Sequence, residues 1–277
     1  MSKARVLLPV RRATGSSLRV GCCAYSYRDY LTGTPPRMSI EDFIDRCAEL
    51  GCDSVELTSY YFPSPISVRG LHRIARRCFL NGLEVSGTAV GNIFALPPGP
   101  AREAQINLVR HWIDLSADLG SPCLRVFAGA VPKGVSLRTG RQWVAECVQT
   151  CAEYAADHGV ILGLENHGGV VATPEGLLDI LRRVNSEWVG AKLDSGNFDS
   201  PDPYGDLAKC APYAVSTHVK TEIRRDGVIE ATDYRRLAAL LRNAGYRGHL
   251  NLEYEGAEDA ATAVPRAIAD MLEAARH

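Results

Sequence analysis

The chain lacks a large net charge of either sign. Its 277 residues carry 31 basic and 32 acidic side chains, which gives a formal net charge of −1. Proteins that bind a nucleic-acid backbone or an anionic membrane surface usually carry a basic excess, because that charge supplies much of the attraction. We therefore expect neither a nucleic-acid partner nor a membrane partner.

The sequence also lacks long apolar runs and closely spaced cysteine pairs. No run approaches the roughly 18 apolar residues that span a bilayer, and residues 6–10 are too short for a signal-peptide core. The nine cysteines include no CxxC pair and their number is odd. This usage is typical of small buried thiols in a reducing cytosol rather than of a disulfide framework. We therefore expect a cytoplasmic protein without a transmembrane helix.

The composition is that of a globular protein. Hydrophobic residues make up 46% of the chain and charged residues 23%, which excludes a disordered chain of low hydrophobicity and high net charge. At this length, one barrel-type domain or two smaller domains can bury most of their apolar surface.

Eight short apolar runs alternate with longer stretches of helical spacing. Near-continuous apolar runs are expected of parallel strands that are covered on both faces. Helix starts are predicted at Ser39, with Asp42 three residues later, and at Thr173, which precedes a proline. The predicted strands are 19–24, 54–57, 83–90, 122–127, 160–164, 189–193, 214–219 and 248–252, and further predicted helices are 101–119, 140–158, 234–244 and 264–275.

This alternation predicts an α/β protein with a single (β/α)8 TIM barrel. Eight units in 277 residues give about 35 residues each, the usual size of a barrel unit. A doubly wound open sheet is the alternative, but no glycine-rich GxGxxG or GxxxxGK[ST] loop follows a predicted strand. We expect a flexible N-terminal tail over residues 1–17 and the barrel domain over residues 18–277.

Polar residues follow most of the predicted strands. A TIM barrel builds its active site where the strands run into the following loops, so these side chains should converge. They are Glu56 after the second strand, Arg125 in the fourth, Glu165, Asn166 and His167 after the fifth, Lys192, Asp194 and Asn197 at the sixth, His218, Lys220 and Glu222 at the seventh, and Glu253 and Glu255 at the eighth.

Three carboxylates and one imidazole come from four consecutive strands: Glu165, Asp194, His218 and Glu253. Packed together they would repel one another unless a cation or several bases neutralised them. One divalent metal ion does this most simply, and the oxygen and nitrogen ligands suit Mn, Mg, Co, Zn or Fe. A single acid after a strand is more often a helix cap or a surface group, so the prediction depends on the whole set.

Four segments carry a family resemblance: GLENHGG, KLDSGNF, THVKTE and LEYEG, in this order. They resemble the strand 5 to 8 motifs of the sugar phosphate isomerase/epimerase superfamily. This xylose-isomerase-like barrel group includes ketose 3-epimerases, inosose dehydratases and endonuclease IV.

The resemblance implies a metal site and a chemistry. It implies that Glu165, Asp194, His218 and Glu253 bind one divalent metal and that the two glutamates also act as acid and base. Many members carry a histidine where this chain has Asn197, and that histidine usually contacts substrate. The histidine of strand 7 is replaced in some close relatives.

The function that we expect is a metal-dependent isomerase or epimerase of a ketose or related polyol carbonyl compound. The metal would stabilise charge on an enediolate, while one of Glu165 and Glu253 removes a proton and the other returns it. The partner would be a small-molecule sugar or polyol, and the sequence leaves a homo-oligomer open.

Three alternatives remain. A sugar or inosose-type dehydratase uses the same enediolate and needs an acid for the leaving hydroxyl, for which Glu56, His167 or Glu222 is available. A non-catalytic sugar-binding barrel is favoured by Asn197 in place of the usual histidine. Phosphodiester cleavage of the endonuclease IV kind is disfavoured, because it usually needs three metals with additional histidines and a basic surface.

Six further residues are expected to contact the substrate: Glu56, Arg125, His167, Lys192, Asn197 and Lys220. For Arg125 and Lys220, salt bridges across the barrel rim are an equal alternative. Lys192 precedes Asp194 by two residues and so shares its side of the strand. If that side faces the interior, its ammonium must pair with a carboxylate, because an unpaired buried charge is too costly. A purely structural ion pair, or a side chain that reaches solvent past the rim, is the alternative.

Overall fold

The protein forms a barrel of eight parallel strands surrounded by helices. The computed structural model describes residues 6–15 and 17–276. The barrel strands are β1 (Leu18–Cys23), β2 (Ser54–Thr58), β3 (Glu84–Ala89), β4 (Cys123–Val126), β5 (Ile161–Glu165), β6 (Val189–Asp194), β7 (Ala214–His218) and β10 (Gly248–Leu252), and an outlying hairpin is formed by β8 (Glu222–Arg225) and β9 (Val228–Ala231). The predicted (β/α)8 barrel is confirmed, with each predicted strand in place.

The sheet follows the chain order and nearly closes on itself. Neighbouring strands pair in the order β10-β1-β2-β3-β4-β5-β6-β7. Beyond the end of β7, Val219 donates from its N–H to the carbonyl of Asn251 at 2.8 Å and accepts from the N–H of Glu253 at 2.9 Å. These two bonds join β7 to β10 at the carboxyl ends of the strands, where the predicted site lies.

The predicted helices are also confirmed, and two are capped as the sequence suggests. The Ser39 hydroxyl accepts from the N–H of Asp42, whose carboxylate accepts from the Ser39 N–H. The Thr173 side chain accepts from the N–H of Gly176. The helices are α1 (Arg28–Leu31), α2 (Ile40–Glu49), α3 (Val68–Leu80), α4 (Pro100–Leu119), α5 (Leu137–Asp157), α6 (Pro174–Val184), α7 (Pro203–Cys210), α8 (Tyr234–Asn243) and α9 (Ala260–Arg276).

The apolar core lies between the sheet and the helices, whereas the barrel interior is polar. Leu57, Leu124 and Leu162 pack outward into the buried apolar layer. Inside the barrel, the amide oxygen of Asn251 accepts hydrogen bonds from two buried hydroxyl groups, those of Ser54 at 3.4 Å and Ser86 at 3.0 Å. A polar interior of this kind supports charged side chains at the barrel mouth.

Part of the predicted N-terminal tail lies outside the described residues, namely 1–5 and 16. In the part that is described, the Val10 N–H donates to the carbonyl of Pro212 at 3.0 Å, and the Arg12 guanidinium donates to the carbonyl of Ala214. Among the described residues, no helix combines the length and apolar character that crossing a bilayer requires.

Candidate metal centre

The four predicted ligands meet at the carboxyl ends of β5, β6, β7 and β10. Glu165, Asp194, His218 and Glu253 are all buried, and each offers a ligand atom that lies within 4.8 Å of the other three. Glu165, Asp194 and His218 are the last residues of their strands and Glu253 directly follows β10. The strand ends therefore bring together residues that are up to 88 positions apart in the chain.

The atoms that face one another in this cluster are short of hydrogen-bond partners. The Nδ1 atom of His218 lies 3.3 Å from Oε2 of Glu253, 3.7 Å from Oε2 of Glu165 and 3.9 Å from Oδ2 of Asp194. Among the described residues, Nδ1 of His218, Oε2 of Glu165 and Oδ2 of Asp194 are buried without a hydrogen bond. Buried polar atoms are rarely left unpaired, so three that face a common point fit a divalent cation.

The electrostatics of the cluster point the same way. Burial raises the pKa of Asp194, and the neighbouring carboxylates Glu165 and Glu253 raise it further, although Lys220 acts in the opposite direction. The net shift of the pKa is upward, which means that Lys220 and His218 do not fully offset the combined effect of burial and the neighbouring carboxylates. A divalent metal ion would supply the missing positive charge.

Two cations lie beside the ligand carboxylates. Lys220 Nζ is 2.6 Å from Glu253 Oε2, 3.6 Å from Asp194 Oδ2 and 2.7 Å from the half-exposed Glu255. Arg125 Nε is 3.2 Å from Glu165 Oε2. The rim salt bridges that the sequence allowed for Lys220 and Arg125 are thus present.

The proton affinities of the two glutamates follow from these contacts. Burial raises the pKa of Glu165, but Arg125 and His218 lower it by more, so it lies below its ordinary value. Burial also raises the pKa of Glu253, but His218 and Lys220 lower it by more. Both side chains are therefore carboxylates near neutral pH and are able to accept a proton.

Asn197 and His167 lie toward the opening. Asn197 is partly exposed, and its Nδ2 donates to Oε1 of Glu165 at 3.2 Å. His167 is exposed, and its ring lies 4.6 Å from that of Phe127, centroid to centroid. The guanidinium carbon of Arg125 lies 3.7 Å from the Phe127 ring centre. Phe127 therefore contacts both the exposed His167 and Arg125, the ion-pair partner of Glu165.

Glu56 and Lys192 lie deeper in the barrel, and each is 1% exposed. The Lys192 ammonium donates to Oε2 of Glu56 in a short ion pair and to the Ser216 hydroxyl at 3.0 Å. The other Glu56 oxygen lies 2.6 Å from Nε2 of His218. The side of β6 that carries Lys192 does face the interior, and its charge is paired there with a carboxylate.

Three buried residues near the cluster were given no metal, catalytic or substrate role from the sequence. Cys23 Sγ lies 4.0 Å from Glu56 Oε1 and 3.9 Å from Glu253 Oε1. Asn251 Nδ2 donates to Glu56 Oε2 at 3.1 Å. Asn166 accepts from the N–H of Asp194 at 2.8 Å and donates to its carbonyl at 3.0 Å. Asn251 precedes Glu253 by two residues, so strand alternation would have indicated it.

Comparison with known proteins identifies the family of this barrel. Residues 44–275 match the family described as the xylose isomerase-like TIM barrel. A comparison with curated proteins finds no match.

Many solved structures share the fold. Protein SMc04130 from Sinorhizobium meliloti 1021 aligns with a TM-score of 0.73 and 23% identity, over 93% of this chain and 97% of that one. D-psicose 3-epimerase from Clostridium cellulolyticum H10, solved with D-tagatose, gives 0.74 and 16% over 93% and 98%. The IolI protein, solved with a bound zinc atom, gives 0.74 and 15% over 92% and 96%. The resemblance seen in the strand 5 to 8 motifs is confirmed: the chain belongs to the xylose isomerase-like TIM barrel family.

Proposed function

We propose that the protein is a divalent-metal-dependent isomerase or epimerase of a ketose or related polyol carbonyl compound. The observation that carries the proposal is a set of three buried atoms at the barrel mouth that have no hydrogen bond to any described residue: Oε2 of Glu165, Oδ2 of Asp194 and Nδ1 of His218. With Glu253 they form a ligand set of three carboxylates and one imidazole. Epimerases and a zinc-containing protein among the structures of the same fold support it.

Glu165, Asp194, His218 and Glu253 would hold the metal ion. Mn, Mg, Co, Zn and Fe all accept such oxygen and nitrogen ligands. When bound, the ion would supply the positive charge that stabilises negative charge developing on the substrate oxygens as a C–H bond breaks.

Glu165 and Glu253 would move the proton. Their carboxylates are anionic in the folded protein because nearby cations lower each pKa by more than burial raises it. These cations are Arg125 and His218 at Glu165, and His218 and Lys220 at Glu253. One glutamate would take the proton from the carbon next to the carbonyl, giving an enediolate, and the other would return it. Return to the same carbon from the opposite face gives an epimer, and return to the neighbouring carbon gives an isomer.

The polar side chains at the opening would orient the substrate. Asn197 and Lys220 each contact a catalytic glutamate, and Asn197 retains partial exposure. Arg125 and the exposed His167 each contact the Phe127 ring. Hydrogen-bonding groups beside an aromatic ring suit a small sugar or polyol, and we propose that the protein acts on such a molecule in the cytoplasm.

Proton exchange with solvent tests the proposal. Metal-loaded protein is incubated with a panel of ketoses in deuterated water, and the substrate is followed by NMR and mass spectrometry. We expect deuterium at the carbon next to the carbonyl, at unchanged molecular formula apart from the isotope. The matched variants Glu165→Gln and Glu253→Gln, which keep the side-chain shape, should lose exchange.

Other outcomes identify the alternatives. Loss of water from the substrate would identify a dehydratase. Binding of a ketose without exchange would identify a non-catalytic sugar-binding barrel. Full turnover in both glutamine variants would contradict the proton-transfer roles.

A further inference from the structure

We propose that Glu56 and Lys192 are positioning residues that hold His218 with its Nδ1 atom turned toward the ligand carboxylates. They would act through the imidazole, without contacting metal or substrate themselves. The inference rests on the metal centre of the proposed function and names two residues that set its geometry.

The two nitrogens of the His218 ring have different surroundings. Nε2 lies 2.6 Å from Oε1 of Glu56, whereas Nδ1 faces Glu165, Asp194 and Glu253. A carboxylate only accepts hydrogen bonds, so when the ring is neutral, as it must be to bind a metal ion, Glu56 favours the tautomer that carries its hydrogen on Nε2. That tautomer leaves the lone pair of Nδ1 directed into the ligand cluster. A carboxylate behind a metal-binding histidine is a recurrent way to fix the ring and raise its basicity.

Glu56 is itself fixed by two donors. Its Oε2 atom accepts from the Lys192 ammonium and from Nδ2 of Asn251 at 3.1 Å. Lys192 is in turn held by the Ser216 hydroxyl at 3.0 Å. Glu56 and Lys192 are both buried deeper in the barrel than the ligand cluster. Their contacts are therefore with other protein groups, and they do not occupy the barrel mouth where the substrate would bind.

Charge balance explains why Glu56 has a lysine partner. An unpaired carboxylate next to His218 would add negative charge to a cluster that already holds Glu165, Asp194 and Glu253. Lys192 cancels that charge within the buried pair. The imidazole therefore gains an acceptor for Nε2–H at little electrostatic cost to the ligand carboxylates.

The main test variant is the double substitution Glu56→Gln with Lys192→Met. It keeps side-chain volume and leaves neither charge unpaired, which limits the loss of stability. The matched control is Arg102→Met with Glu146→Gln, which neutralises an ion pair between α4 and α5 with an N–O distance of 2.9 Å. A second variant, Glu56→Asp, keeps the charge for Lys192 but withdraws the acceptor from Nε2 by one methylene, so the test does not depend on the double variant folding.

Two quantities are measured without substrate: the dissociation constant for Zn²⁺, by chelator competition, and the His218 ring signals in ¹⁵N-histidine-labelled, zinc-loaded protein. His218→Gln identifies the ring signals. In the wild type we expect a downfield Nε2-bound proton. In the double variant and in Glu56→Asp, we expect the signal of the Nε2-bound proton to shift upfield or to be lost through exchange with solvent. The dissociation constant for Zn²⁺ should rise about 10- to 100-fold. The control should change neither.

Two results would overturn the proposal, because the ring would then not depend on Glu56. One is a dissociation constant for Zn²⁺ that rises less than about fivefold in both variants. The other is a weaker affinity for Zn²⁺ with no change in the signal of the Nε2-bound proton. Wild-type protein that binds no zinc would also overturn it. The proposed function fails separately. If zinc binds with the expected ring signals but no ketose exchanges its proton, the reaction is wrong and the positioning role stands.

Discussion

Replacement of Lys220 by methionine should destabilise the metal-free protein. The Lys220 ammonium lies 2.6 Å from Glu253 and 3.6 Å from Asp194, both of which are buried. Removal of one partner from a buried ion pair costs about 3 to 5 kcal/mol. Asp194 has a raised pKa and can take up a proton in response, so the lower end, about 3 kcal/mol, is expected. Glu255 is half exposed, so loss of its ion pair with Lys220 adds little to this loss of stability.

This loss of free energy converts into a shift of the melting temperature. At about 2 cal/mol/K per residue, the unfolding entropy of a chain of this length is about 0.6 kcal/mol/K, and about 3 kcal/mol then corresponds to about 5 °C. The assay is thermal unfolding at one scan rate, with EDTA and with excess MnCl₂. Metal should raise the melting temperature of Lys220→Met more than that of the wild type, because a cation no longer competes for the same carboxylates.

The matched control is Lys209→Met. Lys209 pairs with Asp206 at 2.8 Å and with Glu175 at 3.7 Å on the surface, where such pairs contribute at most about 1 kcal/mol. A shift of no more than about 2 °C is expected. If Lys220→Met melts within that range of the wild type in EDTA, or gains less from metal than the wild type does, the electrostatic reasoning is refuted.

Three further predictions concern single side chains. Asn197→Ala removes the hydrogen bond to Glu165 and should lower kcat about tenfold or more, with little change in metal affinity. An unchanged kcat would contradict a role for Asn197 in orienting the substrate. Burial and Arg19 hold the pKa of His249 at about 4. The neutral imidazole therefore contributes its full stabilisation above pH 6.5, and the free energy of unfolding should fall by about 2 kcal/mol between pH 7 and pH 5. In His249→Gln, urea unfolding should show no such fall over this pH range. A Cβ at Gly21 would clash with Asn251 inside the barrel, so Gly21→Ala should lower the free energy of unfolding, measured in urea, by about 1 to 3 kcal/mol. A variant as stable as the wild type would mean that the interior side chains move to accept the methyl group.

The barrel could be predicted because each of its strands is a local signal. A run buried on both faces, such as β5 or β6, is apolar over most of its length and needs no information from distant residues. The helix α3 and the hairpin β8–β9 are not among the predicted elements. Only three residues of α3 are buried among its thirteen, and the hairpin buries Ile223 alone among its eight strand residues.

The ligand set could also be proposed from the sequence, because barrel topology alone sends consecutive strand ends to one place. The contact between Glu56 and the ligand His218 could not be predicted. Glu56 and His218 are separated by 162 positions, and their contact depends on side-chain direction inside the barrel. Register shifts at Val55/Glu56 in the β2–β3 pair and at Ala191/Lys192 in the β6–β7 pair also affect it. Such irregularities leave no mark in a hydrophobic pattern.

Anomalous diffraction from crystals soaked in MnCl₂ tests the central claim most directly. The account predicts one strong manganese peak at the barrel mouth, with Glu165, Asp194, His218 and Glu253 as its protein ligands and with Nδ1 as the coordinating atom of the imidazole. Crystals of His218→Gln provide the comparison and should show a weaker peak at the same place. Absence of a peak at the four residues in the wild type, or a peak held by other side chains, would contradict the account.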